Sequence, residues 1–322
     1  MQRIIDGFLY ESKTLPDSWD VRTFEVNGHK EISARKAVIW EEVGVAYRDC
    51  SRDGHGYQGA PTAEQVAKWA KQDADEAEER RQNGLKRSAT RAKTMCRRVI
   101  KAEGFNELLT LTYRHNQCDR ELAKKHFKEW FRRMKKALGG FRFCASFEAQ
   151  GRGAMHVHVA THRLPELAAY KGTKVKAWEV GTRIWRDVIG PYPFQGPLQP
   201  GQDWPVLSNG LCFVGGKSKV GTPARRGHMS IGKMASYVSK YILKDFESAP
   251  EEKNRYSRSN GTEVPKSSIV KLHGYTLSQV IELAFELGEG DVVISHTIGP
   301  WKDSYWLVTE PRLSSNDGNT RS

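Results

Sequence analysis

The stretch Phe141–His162 constrains the fold more than any other part of the chain. Two runs of strand-forming residues, Phe141–Glu148 and Met155–His162, flank the turn Gln150-Gly151-Arg152-Gly153, a pattern that closes an antiparallel hairpin. Successive side chains on a strand point to opposite faces, so His156 and His158 share one face while Met155, Val157 and Val159 take the other. Two imidazoles about 6–7 Å apart along a strand can close on one divalent ion. Glu148, eight residues before His156 and across the glycine turn, is placed to add an oxygen ligand. Two nitrogens, one carboxylate oxygen and open positions suit Mg²⁺ or Mn²⁺ holding a phosphate, with waters retained.

The surrounding elements set the fold class. Phe105–Tyr113 is a strand candidate rich in Leu and Thr, and Asp119 caps an amphipathic helix running to Leu138. Its apolar side carries Leu122, Phe127, Trp130, Phe131, Met134 and Leu138. Strand, helix, strand, strand predicts an α+β fold, an antiparallel sheet with the HxH strand central and helices packed against it. Further strands are expected at Val21–Val26, Ala37–Val45, Leu211–Val214, Asp291–Ile298 and Tyr305–Thr309. Helices are expected over Val175–Val188, Lys233–Asp245 and, from a Thr276/Gln279 capping box, through Leu287. Thr62–Lys101 reads as polar helix interrupted at Asn83-Gly84, and Ala249–Lys266 as a linker. This divides the chain into an N-terminal extension (1–84), a central domain (85–248), and a linker with a small αβ region and disordered tail (249–322).

Charge narrows the partners. Lys plus Arg number 51 against 38 Asp plus Glu, a net charge of +13. Nine basic residues and no acid lie between Arg80 and Lys101. A surface of this kind binds a polyanion through counterion release, which points to nucleic acid. No apolar run is long enough to span a bilayer, and Met1–Tyr10 lacks a secretory signal's apolar core. Five cysteines without a CxxC pair argue against a disulfide framework or thiolate zinc site. The expected location is the cytoplasm, with no membrane partner. Gly215-Gly216-Lys217-Ser218 is not a Walker A loop, because Leu211 stands where that motif needs glycine.

A third feature is Tyr237-Val238-Ser239-Lys240-Tyr241-Ile242-Leu243-Lys244. At 100° per residue Ala235, Val238 and Ile242 form one side of a helix, and Tyr237, Lys240, Tyr241 and Lys244 fall nearly opposite. A phenol is a poor nucleophile near neutral pH until a cation favours the phenolate, and each tyrosine has a lysine three residues on.

Together these features resemble the rolling-circle replication initiators of the HUH endonuclease superfamily. The similarity is to its phage and plasmid replication-associated proteins, among them the gene A protein of small icosahedral single-stranded DNA phages. Leu109-Thr110-Leu111-Thr112-Tyr113 resembles their first motif, Glu148 with His156-Val157-His158 their metal motif, and Tyr237–Tyr241 their two-tyrosine nucleophile helix. Asn254-Arg255-Tyr256-Ser257-Arg258-Ser259 is similar to the segment after that helix in the same proteins. The resemblance spans about residues 85–260. It implies Tyr237 and Tyr241 as nucleophiles, Lys240 and Lys244 beside them, and His156, His158 and Glu148 as metal ligands. Thr110, Thr112, Arg152, Lys217 and Lys219 are candidate DNA contacts. The implied substrate is single-stranded DNA at a replication origin, with a host helicase and polymerase as further partners in a bacterial cytoplasm.

Other classes meet the same residues less well. A non-haem iron oxygenase shares the two-histidine–carboxylate set but has no use for the tyrosines or the positive charge. A non-catalytic DNA-binding protein needs neither. Relaxases of the same superfamily carry a third metal histidine, for which His162 keeps strand parity at the strand's end, and transposases remain a further member class.

Overall fold

A computed structural model describes residues 2–5, 8–45, 62–113, 116–151, 153–190, 210–214, 230–244 and 256–312. Along the chain run β1 (Gln2–Ile5), β2 (Phe8–Val26), β3 (His29–Val45), α1 (Ala63–Glu103), β4 (Glu107–Tyr113), α2 (Arg120–Ala137), β5 (Phe143–Ala149) and β6 (Met155–Thr161). There follow β7 (Leu167–Tyr170), β8 (Thr173–Lys176), α3 (Ala177–Ile189), β9 (Gly210–Val214), α4 (Ile231–Lys244), β10 (Tyr256–Arg258), β11 (Ser268–His273), α5 (Leu277–Leu287), β12 (Val292–Ile298) and β13 (Ser304–Glu310). Contacts group residues 82–264 into one unit, and residues 1–81 with 265–322 into another.

The first of these is α+β, with its sheet antiparallel throughout and ordered β10-β5-β6-β4-β9. The HxH strand β6 is central. Alternation gives the sheet two different faces. Leu109, Leu111 and Tyr113 of β4, Phe143, Ala145 and Phe147 of β5, and Met155, Val157 and Val159 of β6 pack under α2 and α3. Asp119 caps α2 by accepting from the Glu121 and Leu122 amides. Trp130 is fully buried, donates Nε1–H to the Gly181 carbonyl at 3.0 Å, and meets Phe127 and Phe141 ring to ring.

The opposite face is apolar in only one row, Leu108–Ala160–Cys144, which packs with Cys96, Val99 and Ile100 of α1 and Met234, Ala235, Val238 and Ile242 of α4. The next two rows are polar: Thr110–His158–Ser146 and Thr112–His156–Glu148. At the far end of β5, Arg142 holds Glu103 of α1 through two donor nitrogens, one at 2.7 Å, and also donates to Thr262 at 3.2 Å.

In the second unit β2 and β3 form a long hairpin that pairs with β1, β11 and β13, and β12 extends the sheet beyond β13. Trp19, Val21, Ile32, Ala34, Tyr305 and Leu307 bury one face against Val280 and Ala284 of α5. The Thr276/Gln279 capping box starts α5 as the sequence indicates.

Two expectations are corrected. α1 runs unbroken through Asn83-Gly84; a helical glycine costs about 1 kcal/mol, which the neighbouring Glu76–Arg80 and Glu78–Arg81 pairs help offset. The stretch read as linker contains β10, pinned to β5 by backbone pairing and by the Phe143 amide donating to Ser259 Oγ at 2.9 Å. The expected disordered tail, 314–322, lies outside the described residues.

Replacing Trp130 by Ala should lower unfolding free energy by about 3–5 kcal/mol in urea titration, since it removes a buried indole with its hydrogen bond. The Arg142 guanidinium holds the Glu103 carboxyl below its ordinary value near 4.5. A depressed carboxylate stabilises fully above its unfolded pKa and loses that contribution as pH falls through the folded one. Thermal melts of Glu103→Gln should therefore depend less steeply on pH below about 5 than those of the parent chain.

Candidate active site

The site lies where α4 crosses the two polar rows. His158, buried at the centre of the sheet, has each ring nitrogen facing a neighbouring strand. Its Nε2 is 3.0 Å from Glu148 Oε2 on β5, and its Nδ1 is 3.4 Å from Thr110 Oγ1 on β4. Tyr241 of α4 stacks on the imidazole at 4.1 Å between centroids and 13° between planes. Tyr237, one turn earlier, meets His158 edge-on at 5.7 Å and Tyr241 edge-on at 5.2 Å. Lys240 holds its Nζ 4.4 Å from the Tyr237 ring centre and 4.9 Å from that of Tyr241, a cation–π contact with both.

His156 shares the face of His158, with ring centroids 6.4 Å apart, and stands opposite Glu148 in the β5–β6 register. Its Nδ1 lies 3.1 Å from the side-chain amide of Gln150. Among the described residues, no three His, Cys, Asp or Glu side chains already converge as a metal shell. Instead, His158 hydrogen-bonds Glu148 and Thr110, and His156 hydrogen-bonds Gln150. Their chemistry nevertheless fits a divalent ion: two imidazoles and a carboxylate on one face. Beside them the Ser146 hydroxyl, in the row of His158, is buried without a hydrogen-bond partner.

The helix is turned differently from the sequence expectation. Tyr241 is not opposite the apolar side but only 7% exposed, at its margin next to fully buried Met234 and Val238. The reason is the surface it meets, an imidazole that stacks on a phenol rather than an aliphatic patch. Burial, the hydrogen bond with Tyr237 and the nearby Glu148 charge all push the Tyr241 phenol above its ordinary value of 10.0. Thr110 and Thr112 face the site within the sheet. The Lys244 side chain, Arg152, Lys217 and Lys219 lie outside the described residues. His162 sits apart, against Phe105 and 3.9 Å from Glu103. Sequence reasoning missed Gln150 and Ser146, although both share the strand parity of Glu148.

Fold and site thus define a class: an α+β domain whose central HxH strand lies beneath a helix bearing two tyrosines. Residues 106–194 match the family model for the replication-associated protein ORF2. That match supports a replication initiator family. It covers well under half of the chain, takes in Thr110, Glu148, His156 and His158, and stops before α4. No curated protein and no solved structure matches the chain. Among the described residues no helix is long and apolar enough to cross a membrane.

In a near-ultraviolet pH titration, Tyr241→Phe should remove a phenol that ionises above the ordinary range and leave the lower part of the curve unchanged.

Proposed function

We propose that this protein nicks and rejoins single-stranded DNA at a replication origin by tyrosine transesterification. The observation that carries the reading is the packing of Tyr237 and Tyr241 directly on His158 of the HxH strand, with Lys240 over both rings. His156, His158 and Glu148 would hold Mg²⁺ or Mn²⁺. Such an ion, when bound, draws charge from the non-bridging oxygens of one DNA phosphate.

The chain's own groups do the rest. Tyr237 is the more accessible phenol and Tyr241 is sealed against the sheet, so Tyr237 attacks first. Its oxygen bonds to phosphorus, the bond to the 3′ oxygen breaks, and that oxygen leaves as a 3′-hydroxyl after taking up a proton. The 5′ phosphate remains joined to the tyrosine. Lys240 offsets the charge that builds on the phenol and phosphate. Because one ester replaces another, the strand can be rejoined without a nucleotide cofactor. The 3′-hydroxyl primes a host polymerase while a host helicase opens the duplex. Tyr241, one turn along the same helix, then attacks the regenerated site. The scissile phosphate reaches such a pocket only in single-stranded or extruded DNA, which the basic surface would hold.

With replicon single-stranded DNA and Mn²⁺, the parent chain should give a covalent protein–DNA band on a denaturing gel. Tyr237→Phe should give none in the first cleavage, Tyr241→Phe should cleave but fail to transfer the strand, and Lys240→Ala should slow cleavage by about 10²-fold. Intact DNA binding with no covalent band, and no effect of a chelator, would leave a non-catalytic single-stranded DNA-binding protein. Cleavage confined to a transfer origin or a transposon end would assign a relaxase or transposase instead.

A further inference from the structure

We propose that Gln150 is a positioning residue that sets the tautomer of His156 and thereby makes its Nε2 the metal-binding nitrogen. The inference rests on the metal-centred reading above and concerns a side chain outside the residues assigned to that site.

Gln150 is held in place independently of its side chain. It closes the β5–β6 hairpin, its amide donating to the Ala154 carbonyl at 2.9 Å and its carbonyl accepting from the Gly153 amide at 2.7 Å. Gly153 adopts φ +86°, and a Cβ there would meet Cys118 Sγ at 3.1 Å, so the turn is fixed by a residue that must be glycine. Gln150 therefore continues the face of Ser146 and Glu148, two residues beyond the carboxylate, and its amide arrives 3.1 Å from His156 Nδ1. The turn does not need this side-chain contact, since its backbone bonds close it already.

The contact decides which nitrogen carries the proton. A neutral imidazole has one N–H and one lone pair, and only the lone pair binds a metal. An amide NH₂ pointing at Nδ1 would force the proton onto Nε2. Turned by half a revolution, the same amide places Oε1 there, accepts Nδ1–H and presents the Nε2 lone pair as the donor. Both orientations fill the same space. His158 is organised in parallel, with Nδ1 toward Thr110 Oγ1 and Nε2 toward Glu148. Each imidazole thus has its Nδ1 faced by a neutral oxygen-bearing side chain, and Nε2 is the nitrogen of the pair directed to the ion.

The test uses the full chain and three variants, Gln150→Met (same length, no hydrogen bond), Gln150→Glu (acceptor only) and Gln150→Ala. Long-range proton–nitrogen NMR on ¹⁵N-histidine protein reads the His156 tautomer without metal. Calorimetry with Mn²⁺ alone reads affinity. The expected result is Nδ1–H in the parent chain and in Gln150→Glu, with loss of that preference in Gln150→Met and Gln150→Ala. Mn²⁺ affinity should fall about 10- to 100-fold in the latter two and recover in Gln150→Glu. An unchanged tautomer in Gln150→Met, or Mn²⁺ affinity equal to the parent's, overturns the proposal. If the parent chain binds no Mn²⁺, the metal-centred reading fails, and a positioning role toward metal fails with it. If the parent binds Mn²⁺ and Gln150→Met binds equally well, the site stands and only the role of Gln150 falls.

Discussion

His158 is gripped from three directions, and the rest of the site is arranged by that grip. Glu148 takes one ring nitrogen, Thr110 faces the other, and Tyr241 lies flat on the ring at 4.1 Å. The first two come from the flanking strands and the third from α4, so a single imidazole fixes the register of two strand pairs against one helix. A buried imidazole without such partners would be costly, and satisfying it specifies one packing out of many. The position of Tyr237 follows, because it lies one turn from Tyr241 on a helix whose other side is locked by Met234, Ala235, Val238 and Ile242.

The division of the sheet face explains why chemistry sits at one end of it. Leu108, Ala160 and Cys144 make an apolar row that anchors α1 and α4, and two rows of threonine, histidine, serine and glutamate lie beyond it. The apolar row supplies the adhesion, at about 25 cal/mol per Å² of buried apolar surface, and so offsets the cost of covering polar rows with a helix. Such an arrangement suits the phosphate chemistry proposed for it, in which charge must be met by groups already in place rather than by rearranging solvent.

How far the sequence reveals this depends on the range of the interaction. Glu148, His156 and His158 were legible because a hairpin with a short glycine turn puts strand neighbours in register. The Asp119 and Thr276/Gln279 caps were legible because they are local. The stacking of Tyr241 on His158 was not, since the helical pattern distinguishes apolar from polar sides and cannot reveal that the opposing surface is aromatic. β10 was hidden because Tyr256-Ser257-Arg258 is polar and is kept in the sheet by backbone pairing to β5. The pairing of β11 with β2 joins residues some 245 positions apart, a closure no local signal encodes.

The central place of β6 bears on how the protein fails as well as how it works. Both edges of this strand are paired, to β4 on one side and β5 on the other. Amides there exchange with solvent only when the sheet itself opens, whereas a helix resting on one face can detach in a smaller fluctuation. The histidines consequently sit on the part of the domain that is last to open, and the tyrosines on a part that can lift away and settle back. A DNA strand end carried on α4 would move with that helix while the histidines kept their spacing.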